Sequence, residues 1–199
     1  NDIRFMSERC CRMTDMVRKA LSAKKDNEFE NLYNRIEHYE QITDNMETEI
    51  ADYLRKVSEG RLSAYTKMHI AKMLRDSMYH LARTLSRKRQ HEPSPFTDEQ
   101  KAHMEEMLNL TDKALGNMHS ILLDNTSEPV DLKNAYGMES QLNDFRSKCR
   151  DENLEAVNTG VYNYRLGTFY NDFIGECERI GDYVINVVQA ENEARQPVE

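Results

Sequence analysis

Apolar residues recur every three or four positions along almost all of this chain, and that period limits the fold more than any other feature. A helix puts positions i, i+3 and i+4 on one face, so each such run reads as one helix with one buried stripe. The first covers about 3–24 through Met6, Cys10, Met13, Val17 and Leu21. The second starts near Asp26 or Asn27, either of which can cap it. It runs through Ile36, Tyr39, Ile42, Met46, Ile50, Tyr53 and Val57 to a stop at Gly60. The third covers about 62–88 through Tyr65, Met68, Met73, Met78, Leu81 and Leu85. Pro93, Ser94 and Pro95 then break the pattern. Thr97 with Gln100 makes a capping box for a fourth helix, which reaches about 124 through Met104, Met107, Leu108, Leu115, Met118 and Leu122. Ser127 with Pro129 opens a fifth, carrying Met138, Leu142, Phe145 and Cys149 and ending at Gly160. The sixth covers about 161–194. No segment alternates with the period of two that a strand requires, and no Asn-Gly or Asp-Gly hairpin occurs.

The order helix, long helix, glycine, long helix occurs twice, offset by about one hundred residues. Ser58-Glu59-Gly60 corresponds to Asn158-Thr159-Gly160, and a tyrosine follows each glycine, Tyr65 and Tyr164. Short loops make neighbouring helices antiparallel. The expected fold is all-α: two tandem three-helix bundles, residues 1–89 and 98–199, joined by a linker at 90–97. Helices of this length imply an elongated molecule.

Composition narrows the function. The 199 residues carry a net charge of −8, which disfavours nucleic acid as a partner. The one basic run, Arg87-Lys88-Arg89, reads as a helix C-terminus complementing the helix dipole, with anionic lipid headgroups as the other reading. Cys10, Cys11, Cys149 and Cys177 show neither a C-x-x-C nor a zinc spacing. Cys149 and Cys177 fall on apolar stripes, and a reducing cytosolic setting is expected. No run of 18 or more apolar residues marks a membrane span, and no signal peptide is visible. The chain begins at Asn1 rather than Met, which suggests a piece of a larger protein. There is no catalytic triad pattern and no glycine-rich phosphate loop.

The chemistry concentrates on the last helix. Glu178, Asp182 and Asn186 stack on one face, beside an apolar stripe of Cys177, Ile180, Val184, Val187 and Val188. Two acids at this spacing repel by a few tenths of a kcal/mol on a bare helix. Glu178 has no basic residue three or four positions away, and Asp182 has only Arg179, so a bound cation is an obvious neutraliser. Glu139 and Asn143 on the fifth helix are also four apart, and antiparallel packing would set them beside Glu178 and Asp182. Oxygen ligands without Cys suit Mg, Mn, Fe or Zn. In the first half, Glu40 and Asp44 correspond to Glu139 and Asn143; Asp76, His80 and Thr84 correspond to Glu178, Asp182 and Asn186. The candidate metal ligands are therefore Glu178, Asp182, Glu139, Asn143, Glu40, Asp44, Asp76 and His80. The plainer reading of each acidic pair is a solvated helix face. His38, His69, His91, His103 and His119 show no ligand spacing and read as surface or core-edge residues. Gly181 inside the sixth helix, and Gly175 before it, suggest a close approach by another backbone.

The run Glu178-Arg179-Ile180-Gly181-Asp182 followed by Asn186 resembles the signature of the PhoU family, which is linked to bacterial phosphate uptake and its regulation. The resemblance extends over the six-helix layout of the whole chain. It implies two three-helix bundles and, as in some family members, metal clusters held by the acidic motifs. Glu139-Ser140-Gln141-Leu142-Asn143, with Asn in place of the usual Asp, and Tyr170-Asn171-Asp172-Phe173 are most like the domain appended to bacterial sodium/phosphate cotransporters. The resemblance thus implies a non-enzymatic regulatory domain on the cytoplasmic side of the inner membrane. Its partner would be the transporter portion of its own parent chain or a transporter complex, and a homodimer is a possible assembly. The alternatives are a carboxylate-bridged di-metal bundle enzyme, against which stands the absence of Glu-x-x-His, and a metal-free helical scaffold or adaptor.

Overall fold

A computed structural model gives the three-dimensional structure. It describes residues 2–56, 62–124, 126 and 128–196, with side chains at 7–41, 69, 72–124, 126 and 128–196. The fold is all-helical, and there is no strand among the described residues. Its helices are α1 (Asp2–Ser22), α2 (Asp26–Lys56), α3 (Leu62–His91), α4 (Asp98–Leu123), α5 (Leu132–Asn158) and α6 (Tyr164–Arg195).

The helix ends follow local chemistry. At α4 the expected box forms: the Thr97 hydroxyl accepts from the Gln100 amide at 3.1 Å, and the Gln100 side chain accepts from the Thr97 amide at 3.0 Å. Helix α3 runs to His91, past the expected end near 88. It stops where Pro93 disfavours helical backbone at the residue before it, and the Glu92 carboxylate turns to accept from the Ser94 amide. The interhelical connection is accordingly 92–97. Helix α5 starts later than expected, because Asp131 rather than Ser127 is its cap and accepts from the Lys133 amide at 3.0 Å. A carboxylate immediately before the first turn accepts from an orphan amide, which a proline side chain cannot do. Ser127 and Gly60 lie outside the described residues. Gly160, where α5 was expected to stop, takes φ +74 in a left-handed turn, and Asn163 then caps α6 by accepting from the Leu166 amide at 2.8 Å.

Helix α2 packs on α1 and α3, and α5 packs on α4 and α6. The inner helices also meet in pairs: α1 with α3 and α4, α6 with α3 and α4. This pairing is compatible with a duplicated three-helix unit. The four inner helices supply most of the core, through Met13, Val17, Leu74, Met78, Met104, Leu108, Phe173 and Ile180, all fully buried. Cys10, Cys149 and Cys177 are buried free thiols, as their stripes suggested. Burial pushes the Cys10 thiol up to about 12 and raises Cys177 too, so both stay protonated. Charged side chains tie the pairs together. The Arg18 guanidinium of α1 binds Glu105 and Asp112 of α4 and reaches Asn109 at 3.1 Å. Arg89 of α3 bonds the Ala23 carbonyl and Asp26 and lies over the Phe29 ring, 4.4 Å from its centre.

Glycine sets the distance between α5 and α6 at two points. A Cβ at Gly181 would fall 2.5 Å from Leu142 Cδ1; a Cβ at Gly167 would fall 2.7 Å from Val157 Cγ2 and 3.0 Å from Asn153 Oδ1. The close approach inferred for Gly181 is therefore real, but the neighbour is a side chain. Gly175 has nothing within 4 Å of the same construction, so the expectation fails there. Val157 is β-branched and stiff, and Asn153 is held by the Tyr162 hydroxyl at 2.9 Å, so neither yields easily at Gly167. Gly116, in the open on α4, has no such neighbour. Gly116→Ala is expected to raise stability by up to ~1 kcal/mol, and Gly167→Ala to lower it by ~1–3 kcal/mol. Urea denaturation midpoints measure both, and equal shifts at the two sites would show that the α5–α6 contact relaxes freely.

Candidate functional site

Helix α6 lies against three helices, so its polar residues emerge into the crevices between them. Glu178 and Asp182 lie half-buried toward α5. The cation beside them is a side chain that local spacing did not supply: Arg146 of α5, whose Nε is 3.5 Å from Glu178 Oε2. Arg146 lies on the face of α5 that also carries Glu139 and Asn143, seven and three residues earlier. Asn143 donates to Glu139 Oε1 at 3.4 Å, and its own carbonyl oxygen is buried without a hydrogen-bond partner. Burial raises the Glu178 carboxyl above its ordinary value; Asp182 and Glu139 push the same way, while Arg146 and Arg179 oppose them. Burial also raises Asp182 against the pull of the same two arginines. Glu139 of α5 thus acts electrostatically on Glu178, and Glu178 and Asp182 sit in a setting that disfavours their charge.

The first-half candidates are placed differently. Glu40 and Asp76 are half-buried on α2 and α3, and the side chain of Asp44 lies outside the described residues. His80 turns toward α6, with Nδ1 3.7 Å from Glu176 Oε1. His80, Thr84 and Glu178 line one cavity of about 500 Å³ between α3 and α6, together with Arg83, Arg87, Arg146, Asp172, Glu176 and Arg179. Residues expected to belong to two separate sites therefore share one wall. Asn186 is exposed elsewhere. Glu176 was not singled out by sequence. Its side chain is only 12% exposed; Oε2 lies 3.4 Å from Arg179, and Oε1 is buried without a hydrogen bond. Burial raises the Asp172 carboxyl, with Arg87 opposing and Glu176 reinforcing. Four guanidinium groups and three carboxylates thus line a polar cavity able to take a small charged ligand.

A different set of residues has the tightest ligand-capable geometry. One oxygen each from Glu99 and Glu152 and a ring nitrogen of His103 all lie within 4.8 Å of one another, the one such group of His, Cys, Asp and Glu among the described residues. This donor set can hold a metal ion. Glu139, Glu178 and Asp182 do not close to that distance. His103 is thus not the lone histidine that its sequence context suggested. The spacing of four between Glu99 and His103 was readable, but Glu152 comes from another helix. Of the remaining histidines, His38, His69 and His91 are exposed as expected, and His119 bonds Ser7 of α1 at 2.6 Å.

Neither the models of known protein families nor the sequences of curated proteins match this chain. Among the described residues, no helix is long and apolar enough to cross a membrane.

The raised carboxyls set a pH dependence. A carboxyl whose pKa is higher in the folded state contributes stability below its unfolded value, 4.5 for Glu178 and 3.8 for Asp182, and loses it as pH rises through the folded value. Glu178→Gln/Asp182→Asn is therefore expected to lose less stability than the parent between about pH 4 and pH 7. Arg146→Met should enlarge the parent's loss, by a few tenths to about 1 kcal/mol at neutral pH. Denaturant titrations across that range measure both, and superimposable pH profiles would mean that the carboxylates are fully compensated.

Proposed function

We propose that this chain is a non-enzymatic PhoU-like regulatory domain of phosphate transport, acting from the cytoplasmic side on a membrane transporter. The transporter is either the sodium/phosphate cotransporter portion of the same parent chain or a separate complex. The observation that supports this most is the meeting of α3 and α6, which sets His80 and Thr84 across one cavity from Glu178. His80 and Thr84 are the α3 positions that correspond to Asp182 and Asn186, and Glu178 is the first acid of the same α6 run. The helix pairing fits two three-helix units joined through 92–97. The acidic run Glu178-Arg179-Ile180-Gly181-Asp182 is the sequence element on which the family reading stands.

On this reading the regulatory input acts at the α5–α6 crevice. A divalent ion such as Fe, Zn, Mn or Mg binding to Glu178 and Asp182, with Glu139 and Asn143 from α5, has to displace the Arg146 guanidinium from Glu178. Metal and arginine are then alternative neutralisers of the same carboxylates. A change of occupant shifts the electrostatics of the cavity wall shared with α3, and through it the surface offered to the transporter.

The test is radiolabelled phosphate uptake in cells whose parent gene encodes the natural chain, Glu178→Ala/Asp182→Ala, or a deletion of the whole domain. Uptake in phosphate-rich medium is expected to change in both altered strains while the transporter level in the membrane stays constant. Unchanged uptake in both would end the phosphate-transport reading.

A further inference from the structure

We infer that Glu99, His103 and Glu152 form a site for a single first-row divalent transition metal, joining α4 to α5 and separate from the acidic run of α6. Glu99 and His103 are one turn apart on one face of α4, and Glu152 reaches them from the C-terminal half of α5.

The two nitrogens of His103 have different surroundings. Nδ1 lies 2.9 Å from the hydroxyl of Tyr170, a side chain only 1% exposed. The ring also meets Phe145 edge-on, with centres 5.7 Å apart and planes at 87°. Both contacts fix the imidazole plane. A histidine held in this way through one nitrogen presents the other in a set direction, which is how outer partners orient a metal-binding imidazole. Here Nε2 faces Glu152 Oε2.

Glu152 completes the arrangement. Its Oε2 is 3.7 Å from His103 Nε2, is shielded from water and has no hydrogen-bond partner; its Oε1 lies 3.8 Å from Lys148 Nζ. A gap of 3.7 Å is too long for a hydrogen bond. It is close to the ~3.4 Å that separates two ligands each ~2.1 Å from a tetrahedral ion. A buried carboxylate oxygen without a donor is costly, and a cation between Nε2 and Oε2 relieves it. One imidazole and two carboxylates, with no thiolate, match Zn²⁺, Mn²⁺ or Fe²⁺. Glu99 is exposed, so water has access to complete the coordination.

The experiment titrates the chelator-stripped full chain with Zn²⁺ by calorimetry and with Mn²⁺ by electron paramagnetic resonance, with circular dichroism checking the fold of each variant. The natural chain is expected to bind one ion that Glu99→Gln/Glu152→Gln no longer binds. Tyr170→Phe should weaken the same event by ~10-fold or more through loss of ring orientation. Glu178→Ala/Asp182→Ala should leave it in place. The assignment is overturned if neither ion binds the natural chain, in which case His103 and Glu152 are simply neighbouring side chains. It is also overturned if the Glu99→Gln/Glu152→Gln protein, still folded, binds as tightly as the parent, or if the event disappears in Glu178→Ala/Asp182→Ala alone. Unchanged affinity in Tyr170→Phe would remove Tyr170 from the site.

Discussion

Everything in this structure depends on covering α6. Its buried residues, from Leu166 and Phe169 through Phe173, Cys177 and Ile180 to Val184 and Val188, spread over more than a single stripe. One partner helix cannot shield such a surface, and α6 is lined by α3, α4 and α5. The driving force is ordinary apolar burial, at about 25 cal/mol per Å². Its side effect is electrostatic. Asp172, Glu176, Glu178 and Asp182 share this helix, and Glu176, Glu178 and Asp182 are partly withdrawn from solvent by its neighbours. The carboxyls of Asp172, Glu178 and Asp182 are pushed upward mainly by lost hydration. The raised carboxyls of α6 are thus a consequence of its packing, and groups of α3 and α5 are set against them.

Two kinds of answer appear. At Glu178 the reply is a guanidinium from α5, a permanent cation that needs no external supply. At Glu152, an acid of α5, Oε2 faces an imidazole nitrogen at 3.7 Å, beyond hydrogen-bonding distance, while Lys148 Nζ stands 3.8 Å from Oε1. The first sets a permanent cation beside the carboxylate without fully offsetting its burial; the second leaves an oxygen facing a ring nitrogen across a gap. The difference follows from the residue offered, since arginine remains charged at all relevant pH while histidine does not.

Local signals were legible in the sequence, and long-range ones were not. The capping box of Thr97 and Gln100, the α4 stripe from Met104 to Leu122 and the helix stop at Gly160 depend on residues within a few positions of one another, and each was readable. The start of α5 was misread because Pro129 looked like a first-turn residue, whereas Asp131 had the carboxylate that closes the turn. Glu178 and Asp182 were recognisable as a pair awaiting a counter-charge. That the counter-charge is Arg146 depends on the register of α5 against α6, which a helical period alone does not fix. The same limit hid Glu152 from His103 and Glu176 from His80. Gly175 and Gly181 show it most directly: both are glycines inside one helix, yet Leu142 packs into one position while the other faces open space.

The two tight glycines have a mechanical meaning. Gly167 and Gly181 are fourteen residues apart, two heptads, and so lie near one face of α6. Val157 with Asn153 seats in one notch and Leu142 in the other. Two pegs in two sockets block sliding of α5 along α6, because a shift that frees one peg drives the other into a turn that has a Cβ. The helix pair is therefore a fixed-length strut. A disturbance at one end can reach the other by twist or by side-chain rearrangement, but axial travel is closed to it.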